Sequence, residues 1–304
     1  MKFAIFGTGG TGAVLGTYLS LAGNDVTFIA RGEKLAALKE HGLTLRTAHR
    51  GDIVLPTVNA CAANDYSDKP DVIFVCVKYY SLSDAVAFVA QAANENTLVI
   101  PILNVYGTGE IMQRDLPHVA CLDGCIYVFA YGEKPGIYAQ PQAILRVFFG
   151  FRPGQDKRLA DKAAALEKIL QAADIKGHFS QNIRRDALQK FAFVSPMGAA
   201  GLYCHAKSDD FKHDGEPRRM FVGLVKEIVA IGAALGITFE KDLVEVGLNM
   251  LDAFKPGLMT SMQRDIASGH ESEFDGLVTS VVRLGERLNV PTPLYKKIAE
   301  NFRP

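Results

Sequence analysis

Apolar residues follow two rhythms along this chain, and the change between them divides it. KFAIFG at 2–7 is a short apolar run ending in glycine, the form of a buried parallel strand. AVLGTYLSLAG then repeats its apolar residues at helical spacing up to Gly23, and VTFIAR at 26–31 predicts a second strand. PDVIFVCVK at 70–78 is another buried strand with Lys78 at its carboxyl end. SLSDAVAFVAQ predicts a helix capped by Ser81, and TLVIPILN at 97–104 a strand that delivers Asn104. From about 117 to 150 the pattern shortens to HVACLDGCIYVFAYG, GIYAQ and ILRVFFG, which suit an antiparallel extension or meander. QDKRLADKAAALEKILQAAD at 155–174 is an amphipathic helix, and IKGHFS closes this half.

From Asn182 onward the spacing is helical almost to the end. RRMFVGLVKEIVAIGAALG, KDLVEVGLNMLDAF, FDGLVTSVVRLGERLN and PLYKKIAENF place apolar residues three and four apart, with Gly or Pro as stops. The boundary falls near 178–182. No internal repeat or low-complexity tract interrupts the pattern.

The turn after the first strand carries chemistry. Gly7-Thr8-Gly9-Gly10-Thr11-Gly12 satisfies GxGxxG between a strand and a helix. In that context the first glycine allows a tight turn, the second lets a pyrophosphate approach the backbone, and the third lets helix and strand pack closely. The N–H groups and positive dipole end of the helix complete an anion site. The reading is an α/β fold: a Rossmann-type doubly wound sheet over 1–180, then an all-helical domain over 181–304 that holds the substrate and catalytic groups. Two such halves imply a cleft where substrate meets a nicotinamide. A glycine-rich turn that binds nothing is the competing reading.

At the end of the second strand, an NAD enzyme usually carries an acidic residue for the ribose hydroxyls. Here stand Ala30 and Arg31, the latter nineteen residues past Gly12. A cation suits the additional phosphate of NADP, so NADPH is the expected cofactor. Lys78 and Asn104 end strands at the same sheet edge, where ligands gather. Each also fits an ordinary polar loop residue.

Composition narrows the partners. Of 304 residues, 48% are hydrophobic and 22% charged, with 33 basic and 33 acidic residues and no long block of either sign. That argues against nucleic acid as the main partner and against an acidic tail. Cys61, Cys76, Cys121, Cys125 and Cys204 are scattered without a CxxC, so neither a disulfide framework nor a zinc site is expected, and a reducing cytoplasm fits. No segment reads as a signal peptide or membrane span. The seven histidines show no ligand spacing, and none is expected to be catalytic, including His270 close to Glu273. The apolar helices suit a monomer core or a homodimer interface equally.

DALQKFAFVSPMGAAG at 186–201 poses the sharpest question, because Lys190 precedes a stretch from Phe191 to Gly201 with no charge. One reading is a lysine that snorkels from a helix margin. The other is a lysine in the wall of an active site, tuned by desolvation.

The chain resembles the ketopantoate reductase (2-dehydropantoate 2-reductase) family over almost its whole length. The likeness runs through GTGGTGAVLG, Arg31, VCVK, the strand ending in Asn104, NIRRDALQKFAF and SMQRDIASGHESEFD, the last two being the most discriminating. The resemblance implies NADPH-dependent reduction of the 2-keto group of ketopantoate to pantoate, a step toward coenzyme A. It also implies that Lys190 is the general acid and that Asn104 lies beside the nicotinamide and substrate. Ser261 would lie near the substrate and Glu273 would engage its hydroxyl end. Gly7, Thr8, Gly9, Gly10, Thr11, Gly12, Arg31 and Lys78 would bind the cofactor. Hydride addition to a ketone builds charge on oxygen, which a proton-donating cation relieves. An efficient lysine donor needs its pKa lowered from about 10.4 toward neutrality.

Four and eight residues after Lys190 stand Val194 and Gly198, where ketopantoate-reducing relatives commonly carry asparagine, and Val105 replaces the usual glycine after Asn104. Another 2-oxo acid with a more apolar body therefore stays open as the substrate, as does an NADP-binding redox sensor without catalysis.

Overall fold

The structure, a computed structural model, describes residues 1–302. The chain divides into two compact units: Met1–Leu103 with Gly107–Ile183, and Asn104–Tyr106 with the residues from Arg184 onward. The three residues beginning at Asn104 thus group with the second unit, an excursion that no break in sequence pattern reveals.

The first unit opens with β1 (Lys2–Phe6), α1 (Gly10–Leu21), β2 (Asp25–Ile29), α2 (Gly32–His41), β3 (Leu43–Thr47), β4 (Gly51–Leu55) and β5 (Asn59–Cys61). It continues with β6 (Val72–Val75), α3 (Leu82–Ala92), β7 (Leu98–Pro101), α4 (Thr108–Asp115), β8 (Ala120–Cys121) and β9 (Asp123–Val128). β10 (Tyr131–Lys134), β11 (Ile137–Gln140), β12 (Leu145–Gly150), α5 (Ala160–Ala172) and β13 (Lys176–Phe179) complete it.

Six strands form a parallel sheet in the order β5-β2-β1-β6-β7-β8. The strand period of two sorts its residues between faces. Phe3 and Ile5 of β1 join one core with Val14, Leu15 and Leu19 of α1 and Leu166 of α5. Ala4 and Phe6 join the other with Phe88 and Val89 of α3. Helices on both faces make this a doubly wound sheet, as the apolar runs predicted. The winding reverses between β1 and β6, so the carboxyl ends of these two strands form the switch point where such sheets bind ligands.

The region from 117 to 150 departs from the expected antiparallel meander. It contributes to two smaller mixed sheets, β10-β11-β3-β4 and β13-β12-β9. β10 and β11 form an antiparallel hairpin and β9 pairs antiparallel with β12, but β11 runs parallel to β3 and β12 parallel to β13. The pairing of β11 with β3 joins segments more than ninety residues apart, which local pattern cannot specify. β3, β4 and β5 were absent from the sequence expectation.

The second unit is helical: α6 (Ile183–Tyr203), α7 (Glu216–Ala234), α8 (Leu243–Asp252), α9 (Ser261–Ala267), α10 (Ser280–Leu288) and α11 (Pro293–Asn301). A π-helical stretch, Asp275–Thr279, leads into α10. Phe193 of α6 packs edge-on against Phe221 and Phe254. Ser195, fully buried, donates its hydroxyl to Leu277 O at 2.6 Å, so the Tyr295 hydroxyl, also 2.6 Å away, must donate to Ser195. Buried Glu227 accepts the N–H groups of Leu294 and Tyr295 at the start of α11. Burial raises its pKa against the pull of those two bonds. Among the described residues, no helix is long and apolar enough to cross a membrane.

Candidate active site

The glycine turn lies at the switch point. Gly7 has φ +100°, a conformation that side-chain-bearing residues rarely adopt, and a Cβ there would press on Val77 and Cys76 just beyond β6. A Cβ on Gly12 would collide with Gly7 O, so this glycine is required for α1 to approach the turn. Gly9 differs: nothing lies within 4 Å of the place its Cβ would take. α1 begins beside that opening with Gly9 as its N-cap, with no side-chain cap and no acidic residue in its first turn. Uncapped N–H groups at the positive end of a twelve-residue helix, beside an open backbone, suit an anion such as a dinucleotide pyrophosphate. The Thr8 hydroxyl in the same turn is buried without a hydrogen-bond partner.

Two features hold this turn from outside the motif. The hydroxyl of Tyr138, buried on β11, donates to Thr8 O at 2.9 Å. The backbone of Ala130 and Tyr131 lies 2.6 Å from where a Cβ on Gly10 would stand, so this glycine too admits no side chain. Neither contact was read from the sequence, because each joins segments more than a hundred residues apart through backbone atoms.

Arg31 follows β2, which ends at Ile29 rather than running to residue 31, and serves as the N-cap residue of α2. Its exposed guanidinium lies 3.3 Å from Asp84 Oδ2 in the first turn of α3. Lys78 stands three residues past the end of β6, immediately before the 3-10 turn Tyr79–Ser81. That turn changes the expected role of Ser81: it precedes α3 but makes no side-chain cap bond.

In the second unit Lys190 lies mid-helix in α6, not at its start, and is only 7% exposed. The snorkelling reading therefore fails. Its ammonium donates to Asn104 Oδ1 at 2.8 Å, joining two of the residues singled out in the sequence. Tyr106 and Phe191, each adjacent to this pair, bring their rings to 6.2 Å. Val194 is half-buried one turn after Lys190.

Gly198, a further turn along, sits against α9: the Met262 methyl lies 3.1 Å from where a Cβ would be, and Gly201 meets the Gln263 side chain in the same way. Thr260 and Gln263 form a capping box, each accepting the other's backbone N–H, and the Gln263 amide also donates to Ala206 O at 2.7 Å. Ser261 is the first residue of α9 and is positioned by that box. Glu273 is buried at 3% exposure, just before the π-helical stretch, where its backbone carbonyl accepts Leu277 N. Among the described residues, no cluster of three or more His, Cys, Asp or Glu side chains could hold a metal ion.

A glycine turn open at the switch point, and a nearly buried ammonium held by an amide, are features a nucleotide-dependent redox enzyme would use. Known proteins agree. Residues 3–153 match the family Ketopantoate reductase PanE/ApbA, and residues 182–304 match Ketopantoate reductase PanE/ApbA C terminal. The oxidoreductase YkpB of Bacillus subtilis (strain 168), itself uncharacterized, is 23% identical over 303 residues, covering 100% of this chain and 98% of that protein. The 2-dehydropantoate 2-reductase of Mesorhizobium japonicum is 24% identical over 313 residues, covering 96% of this chain and 94% of that protein. Among solved structures, D-mandelate dehydrogenase with NADH and anilino(oxo)acetate superposes with a TM-score of 0.87 at 23% identity, covering 99% of this chain and 96% of that one. With both halves matched, the chain belongs to the ketopantoate reductase PanE/ApbA family of oxidoreductases.

Proposed function

We propose that the protein reduces a 2-oxo acid with NADPH, and that 2-dehydropantoate, reduced to pantoate, is its foremost substrate. The observation that carries this reading is the Lys190 ammonium, 7% exposed, with one N–H committed to Asn104 at 2.8 Å. A buried lysine whose direction is fixed by an amide suits a positioned proton donor better than a surface charge.

Bound at the glycine turn, NADPH supplies the hydride. The open side of Gly9 and the first N–H groups of α1 would receive the pyrophosphate, Arg31 would hold the 2′-phosphate, and Lys78 would add positive charge near the same sheet edge. Lys190 points a second N–H at the substrate carbonyl oxygen. As charge builds on that oxygen, the ammonium stabilises it and then transfers a proton, leaving an alcohol and a neutral lysine that solvent reprotonates. Asn104 accepts one N–H of the ammonium and helps to direct it. Ser261, fixed by the Thr260–Gln263 box, and Glu273 engage the body of the substrate.

A second reading retains the reaction and changes the substrate. Val194 and Gly198 follow Lys190 at four-residue spacing, so one face of α6 offers no amide, and the Met262 methyl lies against Gly198. A 2-oxo acid with an apolar body suits that face, and the solved D-mandelate dehydrogenase superposes on this chain. A panel of 2-oxo acids tested with NADPH and NADH separates the readings. Fastest turnover of 2-dehydropantoate supports the first, preference for an aromatic or branched 2-oxo acid supports the second, and no turnover of any member refutes both.

A further inference from the structure

β2 and β6 flank β1 in the parallel sheet, and Arg31 and Asp84 stand on the segments that follow them. Their side chains meet at 3.3 Å although 53 residues separate them in sequence. Both are exposed, at 84% and 55% for the side chains, so the pair is open to a competing anion. Asp84 lies in the first turn of α3, where the helix dipole favours a carboxylate and holds it near Arg31.

We infer that Asp84 is a selectivity residue, which weakens the preference for NADPH over NADH by competing with the 2′-phosphate for Arg31. The inference rests on the proposed phosphate role of Arg31. A phosphate dianion on the guanidinium either shares it with the Asp84 carboxylate or displaces that carboxylate, and in both cases bears its repulsion at short range. NADH brings only a neutral hydroxyl to that place and leaves the ion pair intact. A carboxylate so positioned penalises one cofactor and not the other.

The test is cofactor binding to the whole chain, read from the fluorescence of bound NADPH and NADH without substrate. Asp84→Asn, nearly isosteric and on an exposed position, is expected to tighten NADPH about two- to five-fold, the scale of an exposed ion pair, and to leave NADH unchanged. In an Arg31→Ala background the same substitution is expected to lose most of that effect. An Asp84→Asn protein that binds NADPH no tighter, or gains equally for both cofactors, overturns the inference while leaving the Arg31 reading intact. Equal weakening of NADPH and NADH by Arg31→Ala alone overturns the phosphate role, and the inference with it.

Discussion

Lys190 and Asn104, 86 residues apart in sequence, meet ammonium to amide at 2.8 Å within the second unit. Replacing Asn104 by Ala removes the amide that accepts from the ammonium. A hydrogen bond to a charged group contributes about 1.5–3 kcal/mol, so kcat should fall roughly ten- to a hundred-fold. Asn104→Asp should act differently: a carboxylate beside the ammonium strengthens its hold on the proton, moving the alkaline limb of the kcat–pH profile upward. Steady-state kinetics across pH checks both, and coincident profiles for the wild type and the Asp variant would remove Asn104 from this role.

Gln263 does more than cap α9. Its amide serves Thr260 and Ala206 together and also fills the space opposite Gly201. Gln263→Ala therefore deletes a cap and leaves Ala206 O without that donor, at a cost of about 1–3 kcal/mol in urea unfolding. Because α9 carries Ser261, the KM for the 2-oxo acid should rise while NADPH affinity stays constant. A change in NADPH affinity as large as the change in KM would contradict this.

Tyr138→Phe keeps the buried ring and removes only the bond to Thr8 O. NADPH binding should weaken about three- to ten-fold, the worth of one net hydrogen bond, with kcat at saturating NADPH unchanged. Titration of NADPH fluorescence measures it directly.

Asp123 and Arg152 form a buried ion pair at 2.9 Å in the first unit. Burial pushes the Asp123 carboxyl above its ordinary range, and Arg152 opposes that rise. Arg152→Met leaves the carboxylate buried without its partner and should cost about 3–5 kcal/mol at neutral pH. The folded variant then binds the Asp123 proton more tightly than the unfolded chain does, so stability lost to the substitution is regained on acidification below the folded-state pKa and lost again as pH rises through it. Urea unfolding midpoints of both proteins at several pH values test this sign.

What the sequence revealed, and what it hid, follows from range. The glycine turn could be read because its signal lies within a dozen residues: the left-handed Gly7, the open Gly9 and the close-packed Gly12 each follow from a strand turning into a helix. Lys190 stood out because the residues from Phe191 to Gly201 are uncharged, and it is 7% exposed. Tyr138 could not be found this way, since its partner is a backbone carbonyl 130 residues distant. The parallel pairing of β11 with β3 was missed for the same reason. LTLRT does alternate and buries Leu43 and Leu45, but five residues are a short signal, while GDIVL does not alternate and is mostly exposed.

The central claim is that Lys190 delivers the proton, and the most direct measurement is NADPH oxidation by wild type and Lys190→Ala with the best 2-oxo acid of the panel, alongside NADPH binding to each. The account predicts that kcat falls by about 10²–10⁴, the usual worth of a positioned general acid, while the NADPH Kd stays within about twofold. A Lys190→Ala enzyme that binds NADPH normally and turns over within tenfold of wild type would contradict it.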